Sequence, residues 1–499
     1  MRVIYRIPWK INNHNEMKNR IKFLFLALSI LGLLNSCDNG GTVPDPDPGG
    51  DTSIEAPAIT KKVNKFIFDA MSDVYLWYNQ MPDIDYNYEN DSKAYFNKLL
   101  YVDDKWSYIT DDIQSFENSL QGIEKTYGWS LAFGIFSNTR TYFAIVEYVY
   151  PKTPAANAGI KRGDIIMMMN GGDITDKNYT DLLYGENISF TLGVLGENGI
   201  SEGQSINLTA LELDLNPVLK TSVTEYEGKK IGYIFYAQYI SKYDNAIDTA
   251  LQSLVNQGVT DIVLDLRYNP GGEISAAQHL CSSLAPSEIV ENERTLVTLR
   301  WNDKYQSYWT SGQQMSQIEV DFIDSTTPVK MNLDKIHILT GSGTASASEL
   351  TITGLAPYMT VTTVGDTTYG KYTASITIKP EDMYSSSYTS DFDNWGLQPI
   401  VARYANAFGV TDFKDGFAPD IEVEDDLFNA YPLGDLNDPL FAAAVEDITG
   451  TPVVTAIKSA RKPHPGYRIF DRGFSRFDPN KRQLLIDNNF TWLRDTGSN

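Results

Sequence analysis

The chain has 499 residues, which is too long for one compact domain. Hydrophobic residues make up 42% and charged residues 21%, as in ordinary globular proteins. Its formal net charge of −23 repels phosphate backbones and argues against a nucleic-acid partner. We therefore expect roughly two to four domains and no nucleic-acid binding.

The first segment has the pattern of a secretory signal. Basic residues between positions 18 and 22 precede an apolar run from Phe23 to Leu34 that is too short to span a bilayer. The run continues into Asn35-Ser36-Cys37 and resembles the lipobox of bacterial lipoproteins. The resemblance implies that residues 1–36 are removed and that Cys37 is lipidated, which would place the chain in the cell envelope, facing the periplasm or the exterior. A plain secretory signal with an accidental cysteine is the alternative.

Residues 37–58 are rich in Asp, Gly and Pro, and this composition predicts a flexible tether between the lipid and the folded part. The only other cysteine, Cys281, lies in a helix-like stretch and is predicted to be a buried thiol. If Cys37 carries lipid, no intramolecular disulfide can form.

Residues 59–118 show amphipathic helical patterns with many aromatic side chains. Such a stripe is more typical of helix-packing core than of a ligand site, and it predicts a small N-terminal helical unit. The aromatic residues are Phe66, Phe68, Tyr75, Trp77, Tyr78, Tyr95 and Phe96.

Residues 119–215 change to short β runs separated by turns. A strand candidate at 142–146 is followed by Pro151–Ile166 and then by Asn170-Gly171. This order resembles the PDZ signature "P-x-x-P-A-x-x-A-G-I-x-x-G-D-x-I" followed by an Asn-Gly turn. We expect Pro154 to begin a short helix, Gly159 to end it with a positive φ, and Asn170-Gly171 to form a tight hairpin turn.

The PDZ resemblance implies that extended C-termini of protein substrates add as a strand beside residues 128–133. That stretch lacks closely spaced glycines, so a packing module without a ligand is the alternative.

Residues 216–431 alternate between strand and helix patterns. Strand candidates at 231–235, 261–266 and 336–339 are each followed by helical or loop segments. This alternation predicts an α/β core, whose ligand sites lie at the carboxyl ends of the strands. Residues 432–499 form a C-terminal extension for which the sequence offers no function.

A loop of small residues around Ser346 follows the strand at 336–339. Such a loop lets a substrate backbone approach, and a helix N-terminus beside the serine would favour developing negative charge. An ordinary turn has the same composition, so the loop alone does not identify a site.

Two further motifs change that reading. Gly370-Lys371 places a lysine 25 residues after Ser346, and residues 265–272 read Asp-Leu-Arg-Tyr-Asn-Pro-Gly-Gly. With the upstream PDZ signature, these motifs resemble family S41, the C-terminal processing peptidases. The resemblance implies a ClpP/crotonase-like α/β core.

In that family the serine of "S-A-S-E" is the nucleophile and the lysine is its base, which correspond here to Ser346 and Lys371. The resemblance also implies oxyanion donors at Gly271 or Gly272 and at Ala347. A lysine acts as a base only when neutral, so its pKa must fall from about 10.4 toward neutrality, as burial can achieve. No metal or other cofactor is expected.

The sequence departs from the family at one point. Family members carry Gln four residues after the lysine, where it orients the base, whereas this chain has Ser375 there and Tyr372 in place of a glycine. Ser375 is a candidate base-orienting residue. Its side chain is shorter than that of glutamine, and we expect this to affect the catalytic rate rather than the type of reaction.

Other readings of the same residues are weaker. Residues 365–371 match a P-loop, but the stretch that follows reads as strand rather than helix. His279 is the one histidine worth testing as a triad member, since His337 reads as a core residue within a strand. Arg267 is interpreted as a structural ion-pair partner of Asp265.

The leading hypothesis is a cell-envelope serine endopeptidase that recognises an apolar C-terminal tail of its protein substrate and is anchored to a membrane by lipid. The alternative is a catalytically weak or inactive peptide-binding lipoprotein on the same fold. The sequence does not indicate the substrate or an oligomeric state.

Overall fold

The computed structural model describes residues 55–196, 199–453, 463–473 and 484–486. The predicted signal sequence, Cys37 and all but the last residues of the predicted tether lie outside these ranges. No helix within them is long and apolar enough to cross a membrane.

Helices and strands alternate along the described residues. The helices are α1 (Ala58–Val74), α2 (Ser92–Leu99), α3 (Ile113–Leu120), α4 (Pro154–Asn157), α5 (Asp181–Tyr184), α6 (Asp244–Asn256), α7 (Ile274–Leu284), α8 (Ser287–Glu291), α9 (Asp303–Ser311), α10 (Ala347–Leu355), α11 (Pro380–Met383), α12 (Ser386–Thr389) and α13 (Pro439–Thr449). The strands are β1 (Tyr108–Thr110), β2 (Ile123–Thr126), β3 (Trp129–Phe136), β4 (Tyr142–Val149), β5 (Ile165–Met169), β6 (Gly172–Asp173), β7 (Asn187–Gly196), β8 (Gly199–Thr209), β9 (Leu211–Asp214), β10 (Val218–Tyr226), β11 (Lys229–Tyr236), β12 (Asp261–Asp265), β13 (Gly272–Glu273), β14 (Thr295–Trp301), β15 (Glu319–Asp321), β16 (Lys335–Thr340), β17 (Thr360–Gly365), β18 (Thr373–Ser375), β19 (Gly396–Gln398), β20 (Ile400–Asn406), β21 (Ile421–Glu422), β22 (Tyr467–Gly473) and β23 (Leu484–Leu485).

A six-stranded central sheet has the order β10-β11-β12-β16-β17-β21. All neighbours from β11 to β21 are parallel, and only β10 runs antiparallel to β11. Parallel sheets are covered on both faces, so their strands are apolar on both sides. In β12, Ile262 and Leu264 point into one hydrophobic core and Val263 into the other. The predicted α/β core is confirmed.

Different elements cover the two faces of the central sheet. Helices α6, α7 and α10 share the larger core with one face. Helix α13 and part of the β-rich region cover the other face, where Phe136 of β3 and Phe143 of β4 join the same core as Val263. The β-rich region is therefore packed directly on the central sheet.

A second six-stranded sheet has the order β13-β23-β18-β20-β14-β15. It contributes to the larger core, and so do the N-terminal helices α1 and α2. The aromatic residues predicted to be core here are buried (Phe66, Tyr75, Trp77, Tyr95 and Phe96) or partly buried against that core (Phe68 and Tyr78).

The β-rich region is a sheet of order β22-β3-β4-β5-β7-β8, with β6 added to β5. Its local features match the sequence predictions. Pro154 begins α4, and Gly159 follows that helix with φ +81°. Asn170 and Gly171 both have positive φ and join β5 to β6 in a hairpin.

The described residues after 432 supply one helix that packs on the central sheet and one strand to each of two other sheets. Asp438 accepts hydrogen bonds from the first backbone N–H groups of α13, Pro439 occupies its first turn, and Gly450 ends it with φ +69°. That helix packs on the central sheet, β22 pairs with β3, and β23 lies between β13 and β18. The described C-terminal residues therefore pack against the rest of the fold.

Candidate active site

Three loops meet at one edge of the central sheet. Strands β12, β16 and β17 are neighbours and parallel, so their carboxyl ends lie side by side. The loop after β12 carries Gly271 and Gly272, the loop after β16 carries Ser346, and the loop after β17 carries Lys371. This is the edge at which α/β sheets bind ligands.

Hydrogen bonds tie these loops together. Ala345 donates its backbone N–H to the carbonyl of Asn269 at 3.1 Å, and Tyr369 donates to the carbonyl of Thr344 at 2.9 Å. The Thr344 hydroxyl donates to the carbonyl of Leu266 at 2.8 Å. The loop of Ser346 is therefore fixed to both of its neighbours.

Ser346 has a strained backbone. Its φ of 62° and ψ of −113° lie in a region that residues with a side chain rarely adopt. The residue immediately precedes α10 and is fully buried. Strain of this kind on a strand-to-helix turn is typical of a nucleophile presented to a reacting carbon.

One carboxylate holds the serine and lysine loops together. Oε2 of Glu349 accepts the backbone N–H of Ser346 and that of Lys371, each at 2.8 Å. Oε1 accepts the N–H of Gly370 at 2.6 Å and the hydroxyl of Thr368 at 2.7 Å. Four donors thus converge on a side chain that is fully buried. Burial raises the pKa of Glu349 to about 7, although these hydrogen bonds act to lower it.

Tyr404 bridges the same two residues from β20. Its single hydroxyl proton is shared between the backbone carbonyls of Ser346 and Lys371, each 3.2 Å from the hydroxyl oxygen. The ring is fully buried, and burial raises the pKa of Tyr404 far above its usual range, so the hydroxyl keeps its proton. The backbones of Ser346 and Lys371 are therefore positioned on both their N–H and their carbonyl sides.

The Lys371 side chain is enclosed. The residue is 1% exposed, and its Nζ lies 6.0 Å from the centre of the Trp106 ring, at the limit of a cation–π contact. Trp106 precedes β1, so the N-terminal region contributes a wall to the site.

The predicted oxyanion donors lie in the loop after β12 and at the start of α10. The N–H of Gly271 already donates to Oδ1 of Asn269 at 2.9 Å, which leaves Gly272 as the better candidate of the pair. Gly272 has φ +143°, and a Cβ built there would lie 2.0 Å from the carbonyl oxygen of Tyr239. Ala347 is the first residue of α10, where backbone N–H groups have no partner within the helix.

Ser375 lies in β18, four residues after Lys371, and is buried. Its carbonyl accepts the N–H of Ile486 at 3.0 Å. The structure thus gathers Ser346, Lys371, Gly272, Ala347 and Ser375 around the ends of adjacent strands, whereas Cys37 lies outside the described residues.

Arg267 is a structural residue, as expected. Its guanidinium contacts the carboxylates of Asp265 at 2.8 Å and of Asp438 at 2.9 Å, and all three side chains are buried. This ion-pair cluster joins the end of β12 to the start of α13.

The two histidines considered earlier have partners of their own. Nε2 of His279 lies 2.8 Å from Oδ1 of Asp248, and Nε2 of His337 lies 2.8 Å from Oδ2 of Asp447. Burial lowers the pKa of His337, in keeping with a core residue. Cys281 is buried, and burial raises the pKa of its thiol to about 12. Across the described part of the chain, no group of three or more His, Cys, Asp or Glu side chains is arranged to hold a metal ion.

Two family models match this chain. Residues 230–423, which include the three loops, match peptidase family S41, and residues 62–108 match the peptidase S41 N-terminal domain. The core of the chain is a family S41 peptidase domain.

Relatives of the chain are named as C-terminal processing proteases or peptidases. The chain is 25% identical to the carboxyl-terminal-processing protease of Synechocystis sp., over 62% of this chain and 66% of that protein. It is 27% identical to the chloroplastic C-terminal processing peptidase of Tetradesmus obliquus, over 56% of each. The chain thus spans under two thirds of either relative's length. The crystal structure of a candidate S41 protease from Bacteroides fragilis NCTC 9343 is 28% identical, covers 77% of this chain and 97% of that chain, and superposes with a TM-score of 0.62.

The sequence analysis gave no role to three residues of the site: Glu349, Tyr404 and Trp106. Glu349 was visible as the last residue of the serine motif, but nothing indicated that its carboxylate joins two loops. Tyr404 and Trp106 come from segments distant in sequence, and only the fold brings them to the site.

Proposed function

We propose that this chain is a serine endopeptidase in which Ser346 is the nucleophile and Lys371 the general base. The observation that carries the proposal is the shared oxygen of Glu349, which holds the backbones of both residues. The strained φ of Ser346 and the enclosure of Lys371 support it further.

The reaction follows from these positions. The neutral amine of Lys371 takes the proton from Ser346 Oγ as the oxygen attacks a peptide carbonyl carbon. The negative oxygen that forms accepts hydrogen bonds from the backbone N–H groups of Gly272 and Ala347, each worth about 3 kcal/mol of barrier. The C–N bond then breaks, and the leaving amine receives the proton from Lys371. Water repeats the sequence on the acyl-enzyme and releases the acid.

We assign substrate recognition to the β-rich region, as a PDZ domain that captures apolar C-terminal tails by strand addition. The order of its turns and strands supports this, and the relatives named above are carboxyl-terminal processing proteases. With lipid on Cys37, the enzyme would work from the surface of a membrane in the cell envelope.

A fluorophosphonate probe tests the dyad, since it reacts only with an activated serine. Wild type should be labelled, and Ser346→Ala should not. Lys371→Arg keeps a long basic side chain that stays protonated and so cannot act as a base, and labelling should slow by about 10²-fold or more. Lys330→Arg, on the surface, is the matched control and should react like wild type.

The outcomes separate the two functions considered. Labelling that survives both Ser346→Ala and Lys371→Arg would exclude the dyad. A folded wild type that neither reacts with the probe nor degrades unfolded protein would support a peptide-binding lipoprotein with this fold.

A further inference from the structure

The chain's own C-terminal residues cover the edge of the β-rich sheet. β22 pairs antiparallel with β3, from Tyr467 opposite Phe136 to Gly473 opposite Leu131. Without β22, β3 would be the edge strand at this side of the sheet. An antiparallel strand added to such an edge is how an extended peptide binds. β22 also runs toward Gly128, as a substrate tail bound there would.

Side chains secure β22 in this position. Phe470 packs edge-on against the rings of Tyr142 and Tyr179, at centroid distances of 5.7 and 5.3 Å. The Tyr179 hydroxyl donates to Asp471 at 2.7 Å. Arg472 forms an ion pair with Glu147 of β4, and its Nε donates to the Ser342 hydroxyl at 3.2 Å. The last contact links β22 to the loop that carries Ser346.

β23 reaches the catalytic loops themselves. It runs parallel to β13, with Leu484 opposite Gly272, and it also pairs with β18, where Leu485 is opposite Ser375. Ile486 donates its N–H to the carbonyl of Ser375 at 3.0 Å. Leu484 is thus paired with the predicted oxyanion donor, Gly272, and Leu485 with the predicted base-orienting residue, Ser375.

The side chains of this segment fill apolar pockets. Leu485 is 7% exposed and packs in a cluster with Ile113, Phe116 and Leu120 of α3. Ile486 is 3% exposed and joins the larger core. Meanwhile Ser346 is fully buried and Lys371 is 1% exposed, so a protein substrate cannot reach them in this state.

We propose that β22 and β23, here called the tail strands, are an internal peptide ligand that blocks both the β3 edge and the strand position between β13 and β18, next to Gly272 and Ser375. The proposal rests on the proposed peptidase function. A substrate must then displace the tail strands, and the pockets of Leu485 and Ile486 indicate an extended peptide with aliphatic side chains where it passes between β13 and β18.

Substitutions in the full-length chain test each tail strand separately. In β22, Arg468 is exposed, and Arg468→Pro removes a backbone donor and disfavours strand pairing, whereas Arg468→Ala leaves the backbone intact. In β23, Leu485→Asp places a charge in an apolar pocket, and Leu485→Ile is its matched control. Thermal unfolding and circular dichroism confirm that each variant is folded.

The first readout is the rate of fluorophosphonate labelling of Ser346. Arg468→Pro and Leu485→Asp should each react about tenfold faster than wild type. In these variants the state with the tail strand displaced is no longer a minor population. The two matched controls should stay within about twofold of wild type. A synthetic peptide of residues 463–486 added to either disrupted variant should slow labelling again.

The second readout does not need catalysis. In a Ser346→Ala background, binding of the same peptide with a fluorescein label is followed by anisotropy. The intact tail should weaken binding about tenfold relative to the disrupted variants. Equal labelling and equal binding in intact and disrupted chains would overturn the proposal. Peptide binding that depends on the tail, in a protein that the probe never labels, would uphold the tail ligand while refuting the peptidase.

Discussion

The backbone N–H groups of Ser346 and Lys371 donate to a single oxygen atom, Oε2 of Glu349, each over 2.8 Å. The proposed nucleophile and base are 25 residues apart in the chain, so their relative position depends on this carboxylate. Its removal should affect the geometry of the site as well as the stability of the fold.

Glu349→Gln keeps the size of the side chain but turns one acceptor oxygen into an N–H₂ group. That group would face two N–H or O–H donors, so buried donors would lose their acceptor. We expect a loss of about 3 kcal/mol in unfolding free energy and about 100-fold slower fluorophosphonate labelling. Glu291→Gln, an exposed change of the same chemistry, should leave both quantities unaltered. Normal labelling by Glu349→Gln would refute the positioning role.

Glu349 also predicts a pH dependence of stability. Burial raises its pKa from an ordinary value of 4.5 to about 7, so between these values the folded chain binds more protons than the unfolded chain. The contribution of Glu349 to the unfolding free energy should therefore fall as pH rises through this window, by about 3 kcal/mol in total.

Comparison with Glu349→Gln isolates this contribution, because glutamine does not titrate and all other groups are shared. Urea unfolding of both proteins from pH 4.5 to 7.5 gives the difference. A difference that is constant, or that moves in favour of wild type as pH rises, would contradict the raised pKa.

Tyr404→Phe removes only the hydroxyl that donates to the carbonyls of Ser346 and Lys371. We expect about 1 kcal/mol of destabilisation and a several-fold slower labelling rate. Tyr358→Phe removes a comparable hydrogen bond, to Thr295, away from the site. It should cost similar stability without slowing labelling. Equal labelling by the two variants would mean that Tyr404 acts only through stability.

Gly272→Ala should inactivate the site. Its Cβ would lie 2.0 Å from the carbonyl oxygen of Tyr239, so the main chain that carries the proposed oxyanion donor must move. We expect labelling to fall by about 10²–10³-fold. Gly258→Ala controls for positive φ alone: Gly258 has φ +75° and no atom within 4 Å of the added Cβ. That variant should lose about 1 kcal/mol of stability and keep its reactivity.

The sequence predicted the α/β core and the loops at its strand ends because those signals are local. Strand runs, turns and the spacing between Ser346 and Lys371 can be read within short windows. The hairpin at Asn170-Gly171 and the helix start at Pro154 were predicted for the same reason: turn chemistry depends on a few neighbouring residues. The site-residue roles stay predictions until the experiments above are done.

The features that could not be predicted depend on contacts between residues that are far apart in the sequence. The carboxylate of Glu349 has four donors only because β16 and β17 lie side by side. Tyr404 reaches Ser346 from a strand of the second sheet. The tail strands were missed because β22 lacks a regular apolar alternation and β23 is very short, so neither gives a periodic signal.

The ion pairs of Arg267 with Asp265 and Asp438 have a consequence for biosynthesis. A chain made from its N-terminus completes β12 long before residue 438 leaves the ribosome. Until then the Arg267 guanidinium lacks the carboxylate of Asp438, and α13, which follows Asp438 and covers this face of the central sheet, is not yet in place. The loop that carries Gly272, which follows Arg267 directly, should therefore reach its final shape only near the end of synthesis. Such a delay would keep a growing peptidase from reacting with neighbouring nascent chains.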